Sequence, residues 1–293
     1  MNSGNPRRSP GVVAALTDPA AVRARARQFG VRPAKQRSQS FLIDPAVVHL
    51  SVQTAQCGPG DWVLEIGAGF GALTAGLLAS GADVTAYEID ERLAASLVDL
   101  FHGEQRFSLV VGDFFRWFYE HQQALAARPF QIVANLPYHL TSRFFKDVLS
   151  ASLLPTVIVV LVQKEVAERV AAPPGSTSLL SLAVQLFGKP SIVRTVPRGS
   201  FWPKPDVDSA LLRISDIRRP AFDTAPIFRL ARLAFANRRK QIHNSLSAGL
   251  HWSSDEVTAV LSAAGIASTA RPQELSIPQW RKLAEAVGSP NRD

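Results

Sequence analysis

The chain has 293 residues, 46% of them hydrophobic, and carries a formal net charge of +8 at pH 7. This length fits one main domain with a smaller appendage, and the hydrophobic content supports a packed core rather than extended disorder. Cys57 is the only cysteine, and no apolar run approaches the roughly 18–20 residues of a bilayer span, so the sequence excludes an intramolecular disulfide and favours a cytoplasmic protein without membrane contact.

The first half of the chain alternates between helical and extended segments. Residues 1–17 lack hydrophobic periodicity and are predicted to be a disordered basic tail. Asp18 and Pro19 then supply an N-cap and a first helical residue, and Gly30 ends that helix. Strands are predicted at 62–66, 84–88, 107–111 and 130–135, with helices at 73–80, 91–101 and near 115–126 between them. This alternation predicts an α/β fold with a parallel sheet wrapped by helices.

The second half of the chain changes character near residue 216. A helix at 142–149, a strand at 157–162 and helices at 164–170 and 179–187 continue the alternation. Strands near 192–196 and 210–214 are expected to close the sheet with some antiparallel pairing. Further on, only helical segments are predicted, at 226–236, 239–249, 253–264 and 278–287. The sequence therefore predicts a main domain over 18–216 and a small all-helical domain over 217–293.

Positive charge is concentrated in two blocks. Residues 1–40 contain eight Lys or Arg and one acidic residue, and residues 194–240 contain eleven and four, whereas residues 41–193 are net acidic. Basic edges on an acidic body are typical of a protein that grips a polyanion, which favours nucleic acid over a small substrate. The alternative is that both blocks are solvated faces that maintain solubility.

The segment Asn135-Leu136-Pro137-Tyr138 directly follows the apolar run of the strand predicted at 130–135. Such a strand end presents an amide oxygen and an aromatic ring together at the carboxyl edge of the sheet. The Asn135 oxygen and a nearby main-chain carbonyl can accept both N–H bonds of an exocyclic amine, and Tyr138 can stack on a flat base. The pattern favours methylation of a base amine; the alternative is an Asx-turn beside a packed tyrosine.

Polar or glycine residues also end the three preceding strands. Gly67 and Gly69 lie in a G-x-G-x-G turn, which differs from the dinucleotide-binding spacing but still allows the backbone to approach a ligand closely. Glu88 is placed to accept both hydroxyls of a ribose, and Asp113 to accept the amino group of an adenine. Four successive strand ends of this kind predict a ligand pocket. Taken singly, the glycines suit a structural turn and each acid suits a helix N-cap.

Together these residues resemble the rRNA adenine N6-dimethyltransferases, which use S-adenosylmethionine. The resemblance runs over about residues 31–283. Besides the segments quoted above, it rests on residues 39–44, 88–90, 112–113, 163–169, 201–210 and 238–240. The branch of the family that matches best modifies two adjacent adenines near the 3′ end of small-subunit rRNA.

The resemblance implies a Rossmann-like S-adenosylmethionine-dependent methyltransferase sheet in 18–216 and an RNA-binding role for 217–293. It implies that the cofactor is bound by Ser40, Leu42, Gly67, Gly69, Glu88, Ile89, Asp113, Phe114 and Asn135. It further implies a catalytic group of Asn135, Leu136, Pro137, Tyr138 and Phe201, with Phe201 facing Tyr138 across the target adenine. Ser40 departs from the asparagine that is usual in the family, although its hydroxyl can still form a hydrogen bond. The two basic blocks assign RNA contacts to Lys35, Arg37, Arg238, Arg239 and Lys240.

The predicted activity is therefore dimethylation of N6 of two adjacent adenines in small-subunit (16S) rRNA, supporting ribosome biogenesis. The enzyme is expected to be a monomer that acts on a small ribosomal subunit or its precursor. One alternative is the related methylase that modifies one adenine of large-subunit (23S) rRNA and confers antibiotic resistance, since it shares the pocket. Another is a non-catalytic RNA-binding assembly factor on the same scaffold. The histidines show no metal-ligand spacing, and no metal is expected.

Overall fold

The computed structural model describes residues 10–33, 39–237 and 240–288. Its strands, in chain order, are β1 (Phe41–Leu42), β2 (Trp62–Ile66), β3 (Asp83–Glu88), β4 (Phe107–Val111), β5 (Phe130–Asn135), β6 (Ile158–Gln163), β7 (Lys189–Val196), β8 (Phe201–Trp202) and β9 (Ser209–Ser215). Seven of them form one sheet in the order β4-β3-β2-β5-β6-β9-β7. Strands β1 and β8 form a separate two-stranded sheet.

Helices alternate with the strands and then follow them. In chain order they are α1 (Pro10–Thr17), α2 (Pro19–Gln28), α3 (Pro45–Ala55), α4 (Ala72–Ser80), α5 (Glu91–Phe101), α6 (Phe114–Glu120), α7 (Gln122–Leu125), α8 (Thr141–Ser150), α9 (Lys164–Val170), α10 (Leu179–Gln185), α11 (Ala225–Phe235), α12 (Ile242–Leu250), α13 (Ser254–Ala263) and α14 (Ile277–Gly288). Within the described ranges, every helix is too short or too polar to cross a membrane.

The connectivity of the sheet creates a crevice at its carboxyl edge. Strand β2 pairs in parallel with both β3 and β5, and β4 and β6 extend the sheet in parallel on either side. Strand β9 then pairs with β6 in the antiparallel direction. The chain moves outward from β2 to β4 and returns on the other side with β5, so the strand order reverses between β2 and β5. Open α/β sheets bind ligands at such a reversal. The predicted fold class is confirmed.

The central strands form the core because helices pack against the sheet. Strand β6 is buried at every position except its last, and β5 is buried at four of its six positions. Continuous apolar runs of this kind are typical of strands that are covered on both faces. Leu77 of α4, Val133 of β5 and Val159 of β6 belong to one buried cluster. The core therefore supports the strand ends that form the crevice.

Residues 10–17 correct the prediction of a disordered tail. They form α1, which packs against α3 and α4. Val13 is 1% exposed, and the Thr17 hydroxyl donates to the Val13 carbonyl oxygen at 2.8 Å. The apolar stretch around Val13 has no 3.6-residue periodicity, so its helical state follows from packing against elements that are distant in sequence. Residues 1–9 lie outside the described ranges.

Three further elements were not predicted. Helix α3 is capped by Asp44, whose carboxylate accepts from the Ala46 N–H at 3.0 Å, and Pro45 is its first helical residue. This repeats the signal at Asp18 and Pro19, so the sequence contained it. Strands β1 and β8 are two residues each, and Phe41 of β1 pairs with Trp202 of β8. These residues are too far apart in the sequence for a local pattern to predict their pairing.

The chain divides into two compact units. The first comprises Met1–Ala167 and Ser191–Ile217, and the second comprises Glu168–Pro190 and Arg218–Asp293. The sequence pattern places residues 168–190 in the main domain. They belong with the helices because Thr177 Oγ1 donates to the Gln273 carbonyl oxygen at 2.8 Å, and the Gly175 N–H donates to the same oxygen. Within the second unit, the Trp280 ring is 1% exposed and stacks on Phe235.

Candidate active site

A cavity of about 520 Å³ lies at the carboxyl ends of β2, β3, β4 and β5. The predicted cofactor residues all line it: Ser40, Leu42, Gly67, Gly69, Glu88, Ile89, Asp113, Phe114 and Asn135. So do four of the five predicted catalytic residues, Asn135, Leu136, Pro137 and Tyr138. The structure thus brings together residues spread over about a hundred positions of the sequence. Their roles toward ligands remain predictions.

The turn between β2 and α4 requires glycine. Gly67 and Gly69 have φ angles of 71° and 58°, in the left-handed region that side chains disfavour. The Gly67 N–H donates to the Tyr87 carbonyl oxygen at 2.8 Å. A Cβ atom at Gly69 would lie only 3.0 Å from Cδ1 of Phe41. The backbone of this turn is therefore held close to β3 and β1, and it lines the cavity without side chains.

Glu88 is oriented by main-chain N–H groups on both sides. Its Oε2 accepts from the Gly69 N–H at 2.9 Å and its Oε1 from the Asp90 N–H at 3.0 Å. The side chain is 5% exposed, and burial raises the pKa of its carboxyl group, opposed by these two hydrogen bonds. A carboxylate has about four acceptor positions. Each oxygen therefore keeps an acceptor position for a ligand.

Asp113 is a helix N-cap that also lines the cavity. Its Oδ1 accepts from the N–H groups of Phe115 at 2.7 Å and Arg116 at 3.1 Å, at the start of α6. The capping role leaves the predicted ligand role open, because capping engages only Oδ1. Oδ2 accepts no hydrogen bond from the part of the chain that the structure describes.

Asn135 is held by the main chain of the segment before β1. Its Nδ2 donates to the Ser40 carbonyl oxygen at 2.9 Å, and no hydrogen bond from the described residues engages its Oδ1. The amide oxygen is thereby left as an acceptor at the cavity. Because Ser40 contributes its main-chain carbonyl, replacement of the family's asparagine by serine preserves this contact.

Tyr138 begins a single 3₁₀ turn after β5 and is half-buried beside the cavity. Its hydroxyl group lies 2.8 Å from Oγ of Ser209, the first residue of β9. Burial raises the pKa of the phenol, so Tyr138 is protonated at neutral pH. Its ring, its hydroxyl bond and the Asn135 amide all lie within the first compact unit.

Phe201 is the one predicted catalytic residue that does not line the cavity. It is 3% exposed, pairs with Leu42 across the β1–β8 sheet and belongs to the main buried cluster. The neighbouring Trp202 is half-buried and stacks on Phe41, with ring centroids 6.2 Å apart. Packing in the core therefore accounts for Phe201 in this geometry, and its contact with a target base stays a prediction.

The cavity is also lined by residues outside the predicted site set, among them Glu65 and Val22. Glu65 is 1% exposed, and its Oε2 accepts from the Thr74 hydroxyl at 2.6 Å. Burial raises the pKa of Glu65 to about 8 despite that hydrogen bond. It lies two residues before Gly67, and a carboxylate at that position of the motif was a usable signal. Val22 of α2 also lines the cavity, and no local pattern pointed to it.

The predicted RNA contacts lie mostly beyond the described structure. Lys35, Arg37, Arg238 and Arg239 fall outside the described ranges. Lys240 is exposed, and its main-chain N–H donates to the Asn237 carbonyl oxygen at 2.9 Å. Among residues 10–33, 39–237 and 240–288, no cluster of three or more His, Cys, Asp or Glu residues is arranged to hold a metal ion.

The sequence matches the family described as "Ribosomal RNA adenine dimethylase" over residues 32–288. It is 37% identical over 266 residues to the ribosomal RNA small subunit methyltransferase A of Dehalococcoides mccartyi (strain CBDB1), covering 89% of this chain and 91% of that protein. The fold is similar to a dimethyladenosine transferase from Plasmodium falciparum, with a TM-score of 0.70 and 25% identity over 83% of this chain and 95% of that one. It is also similar to the 23S rRNA methyltransferase ErmE, with a TM-score of 0.67 and 29% identity over 85% of this chain and 100% of that one. With its strand-end cavity and the motifs that line it, the chain belongs to the ribosomal RNA adenine dimethylase family.

Proposed function

We propose that this protein transfers methyl groups to N6 of adenine in rRNA, forming N6,N6-dimethyladenine in two successive steps. The observation that carries the proposal is the orientation of Asn135. Because its Nδ2 is engaged by Ser40, its Oδ1 is the atom left to accept a hydrogen bond at the cavity. The adenine amine carries two N–H donors and a lone pair that is delocalised into the ring. Accepting those N–H bonds helps to localise the pair on nitrogen.

S-adenosylmethionine is the cofactor, and the lining of the cavity fits it. The backbone of the glycine turn approaches without side chains, Glu88 keeps acceptor positions for ribose hydroxyls, and Asp113 keeps Oδ2 for an adenine amino group. Ile89 is 62% exposed and lines the cavity, so it offers apolar surface to a flat ring. The cofactor supplies a methyl group that is already activated on a sulfonium. The residues of the chain bind, align and exclude water.

Tyr138 supports the target base in this proposal. Stacking of a base on an aromatic ring contributes about 1–3 kcal/mol, which is enough to hold a nucleotide out of its helix without selecting a sequence. Tyr138 lies three residues after Asn135 in the chain and lines the same cavity. A base stacked there would have its amine within reach of the amide oxygen. Recognition of the surrounding RNA is assigned to the helical region 217–293 and to the basic blocks.

Small-subunit rRNA is the proposed substrate, at two adjacent adenines near its 3′ end. The relative that is 37% identical is named for the small subunit, whereas the 23S rRNA enzyme ErmE is 29% identical. We place the reaction on a small ribosomal subunit or its precursor, in the cytoplasm, with the enzyme as a monomer. The modification would then be a step of ribosome biogenesis.

Mapping dimethyladenine in rRNA from cells with and without the protein tests this proposal. We expect two adjacent dimethyladenines in 16S rRNA that are lost with the gene and restored by the wild type but not by Asn135→Ala. A single dimethyladenine lost from 23S rRNA would instead assign the large-subunit activity. Unchanged rRNA, together with no S-adenosylmethionine binding by calorimetry, would indicate the non-catalytic assembly factor and overturn the proposal.

A further inference from the structure

The hydroxyl of Tyr138 is tied to a buried serine that the proposed reaction does not use. Tyr138 Oη and Ser209 Oγ are 2.8 Å apart, and Ser209 is 0% exposed. The two residues are 71 positions apart in sequence. Tyr138 lies in the turn after β5 and Ser209 begins β9, so this hydrogen bond joins the turn to a different strand of the same sheet.

Ser209 is itself held rigidly by its surroundings. It lies opposite Gln163 in the antiparallel β6–β9 pair, which continues to Ile158 and Ile214. The preceding residue, Asp208, accepts from the Lys164 N–H through its carbonyl oxygen at 3.0 Å and from the Arg198 N–H through Oδ1 at 2.9 Å. A hydroxyl on such a frame has a fixed position, whereas the tyrosine ring sits on a short turn.

We propose that Ser209 is a positioning residue that holds the Tyr138 ring in the orientation that receives the target base. This inference rests on the stacking role given to Tyr138 in the proposed function. Side chains on a turn can populate more than one staggered rotamer, and a hydrogen bond at the far end of the ring restricts χ1, because it fixes where the phenol oxygen lies. The ring is then positioned before the base arrives, which lowers the cost of binding it. One hydroxyl donates and the other accepts, and no proton is transferred.

The test compares Ser209→Ala, Tyr138→Phe and the double variant. The probe is small ribosomal subunits from cells that lack this methylation, with single-turnover methyl transfer measured at saturating subunits and S-adenosylmethionine. Each single variant is expected to slow transfer roughly 3- to 10-fold, the effect of losing one hydrogen bond. The double variant should be no slower than the slower single one, because both substitutions remove the same interaction. The dissociation constant for S-adenosylmethionine should not change.

The matched control is Ser51→Ala. Ser51 is also buried, and its hydroxyl donates to the Val47 carbonyl oxygen within α3. The substitution therefore removes a buried serine hydroxyl that does not contact Tyr138. Wild-type transfer is expected. If Ser209→Ala does not fold, Tyr138→Phe decides, because it removes only one hydroxyl from a half-buried ring, and a wild-type rate there would overturn the inference.

Three other outcomes separate this inference from the proposed function. Independent effects of the two single variants, multiplying in the double variant, would show that Ser209 acts through the fold and not through Tyr138. A wild-type rate for Tyr138→Ala would remove stacking and with it the role proposed for Tyr138. Slow transfer in Tyr138→Ala, with wild-type rates in Tyr138→Phe and Ser209→Ala, would overturn the positioning role alone.

Discussion

At the scale of single residues, the polar groups of the cavity are already engaged on one side. Asn135 uses its Nδ2, Asp113 uses Oδ1, and each oxygen of Glu88 accepts one main-chain N–H. The acceptors that remain are therefore oriented before any ligand binds. Preorganised groups of this kind stabilise a transition state without reorganising during the reaction.

Asn135→Ala is expected to lower the single-turnover rate about 100- to 1000-fold, or about 2.7–4 kcal/mol, because it removes a preorganised acceptor. Asn135→Asp should also be slow, since a carboxylate cannot donate to the Ser40 carbonyl oxygen and would place two oxygens at a hydrogen-bond distance. The measurement is methyl transfer at saturating cofactor and RNA, with the exposed Asn244→Ala as the control. A wild-type rate in Asn135→Ala would exclude Asn135 from the mechanism.

The wild type is expected to lose stability as pH rises. In Glu65→Gln this loss is expected to be absent. Burial raises the pKa of Glu65 from 4.5 to about 8 in the folded protein. Between these values the unfolded chain has released the proton and the folded one retains it, so the free energy of unfolding falls with rising pH. A shift of this size corresponds to at most ~5 kcal/mol.

Denaturant unfolding at pH 5 and pH 8 without cofactor measures the effect. From pH 5 to pH 8, the free energy of unfolding of Glu65→Gln should rise relative to that of the wild type by several times RT. The control is Glu256→Gln, since the pKa of the exposed Glu256 carboxyl is lowered and its effect lies below this range. An equal pH dependence of Glu65→Gln and the wild type would contradict the assignment.

At the scale of elements, two short connections position the site. The β1–β8 sheet joins the segment that holds Asn135 to the segment that leads to Ser209, and the Ser200 hydroxyl reinforces it by donating to Oδ2 of Asp44 at 2.8 Å. The β2–α4 turn presents bare backbone to the cavity. Each connection depends on close approach between backbones, so small steric changes in them should affect cofactor binding.

Gly69→Ala is expected to raise the dissociation constant for S-adenosylmethionine by at least about tenfold. The added Cβ would meet the Phe41 ring at 3.0 Å, and the turn would have to move its N–H away from Glu88. Gly103→Ala is a matched control: its φ angle of 77° imposes a comparable backbone strain, but no atom lies within 4 Å of the added Cβ. Titration calorimetry distinguishes them, and equal affinities in both variants would refute the steric argument.

At the scale of the whole molecule, the boundaries between acidic and basic stretches of the chain do not coincide with the boundaries between the two compact units. The sheet that bears the cavity is formed largely by the acidic stretch 41–193, whereas the basic stretch 194–240 runs through the end of the first unit into the helices of the second. RNA binding is therefore expected to depend on residues outside the cavity, and cofactor binding on residues inside it.

Reversal of Arg238, Arg239 and Lys240 to Glu is expected to weaken RNA binding while S-adenosylmethionine affinity stays unchanged. Each lost phosphate contact should reduce the slope of log affinity against log salt by about 0.7–0.9. Filter binding across a salt series measures it. Arg128→Glu is the control, because Arg128 pairs with Asp83 at the opposite, amino edge of the sheet. An unchanged slope in the triple variant would identify the basic block as a solvated face.

The sequence alone determined the fold class, the strand ends and the polar and glycine residues that those ends bring to the cavity. Apolar runs of five or six residues separated by glycine or acid-capped helix starts are local signals, and parallel connectivity brings their carboxyl ends to one edge. Asp113 shows the limit of such signals, since its N-cap role and its place in the cavity were predicted as alternatives and occur together.

Only the tertiary structure decided how these residues are oriented. The Asn135–Ser40 and Tyr138–Ser209 hydrogen bonds join residues 95 and 71 positions apart. Helix α1, the β1–β8 pairing, the burial of Phe201 and the raised pKa of Glu65 likewise depend on neighbours that are remote in sequence. Hydrophobic periodicity and capping report interactions over a few residues, whereas burial and side-chain orientation depend on which distant segments share the same space.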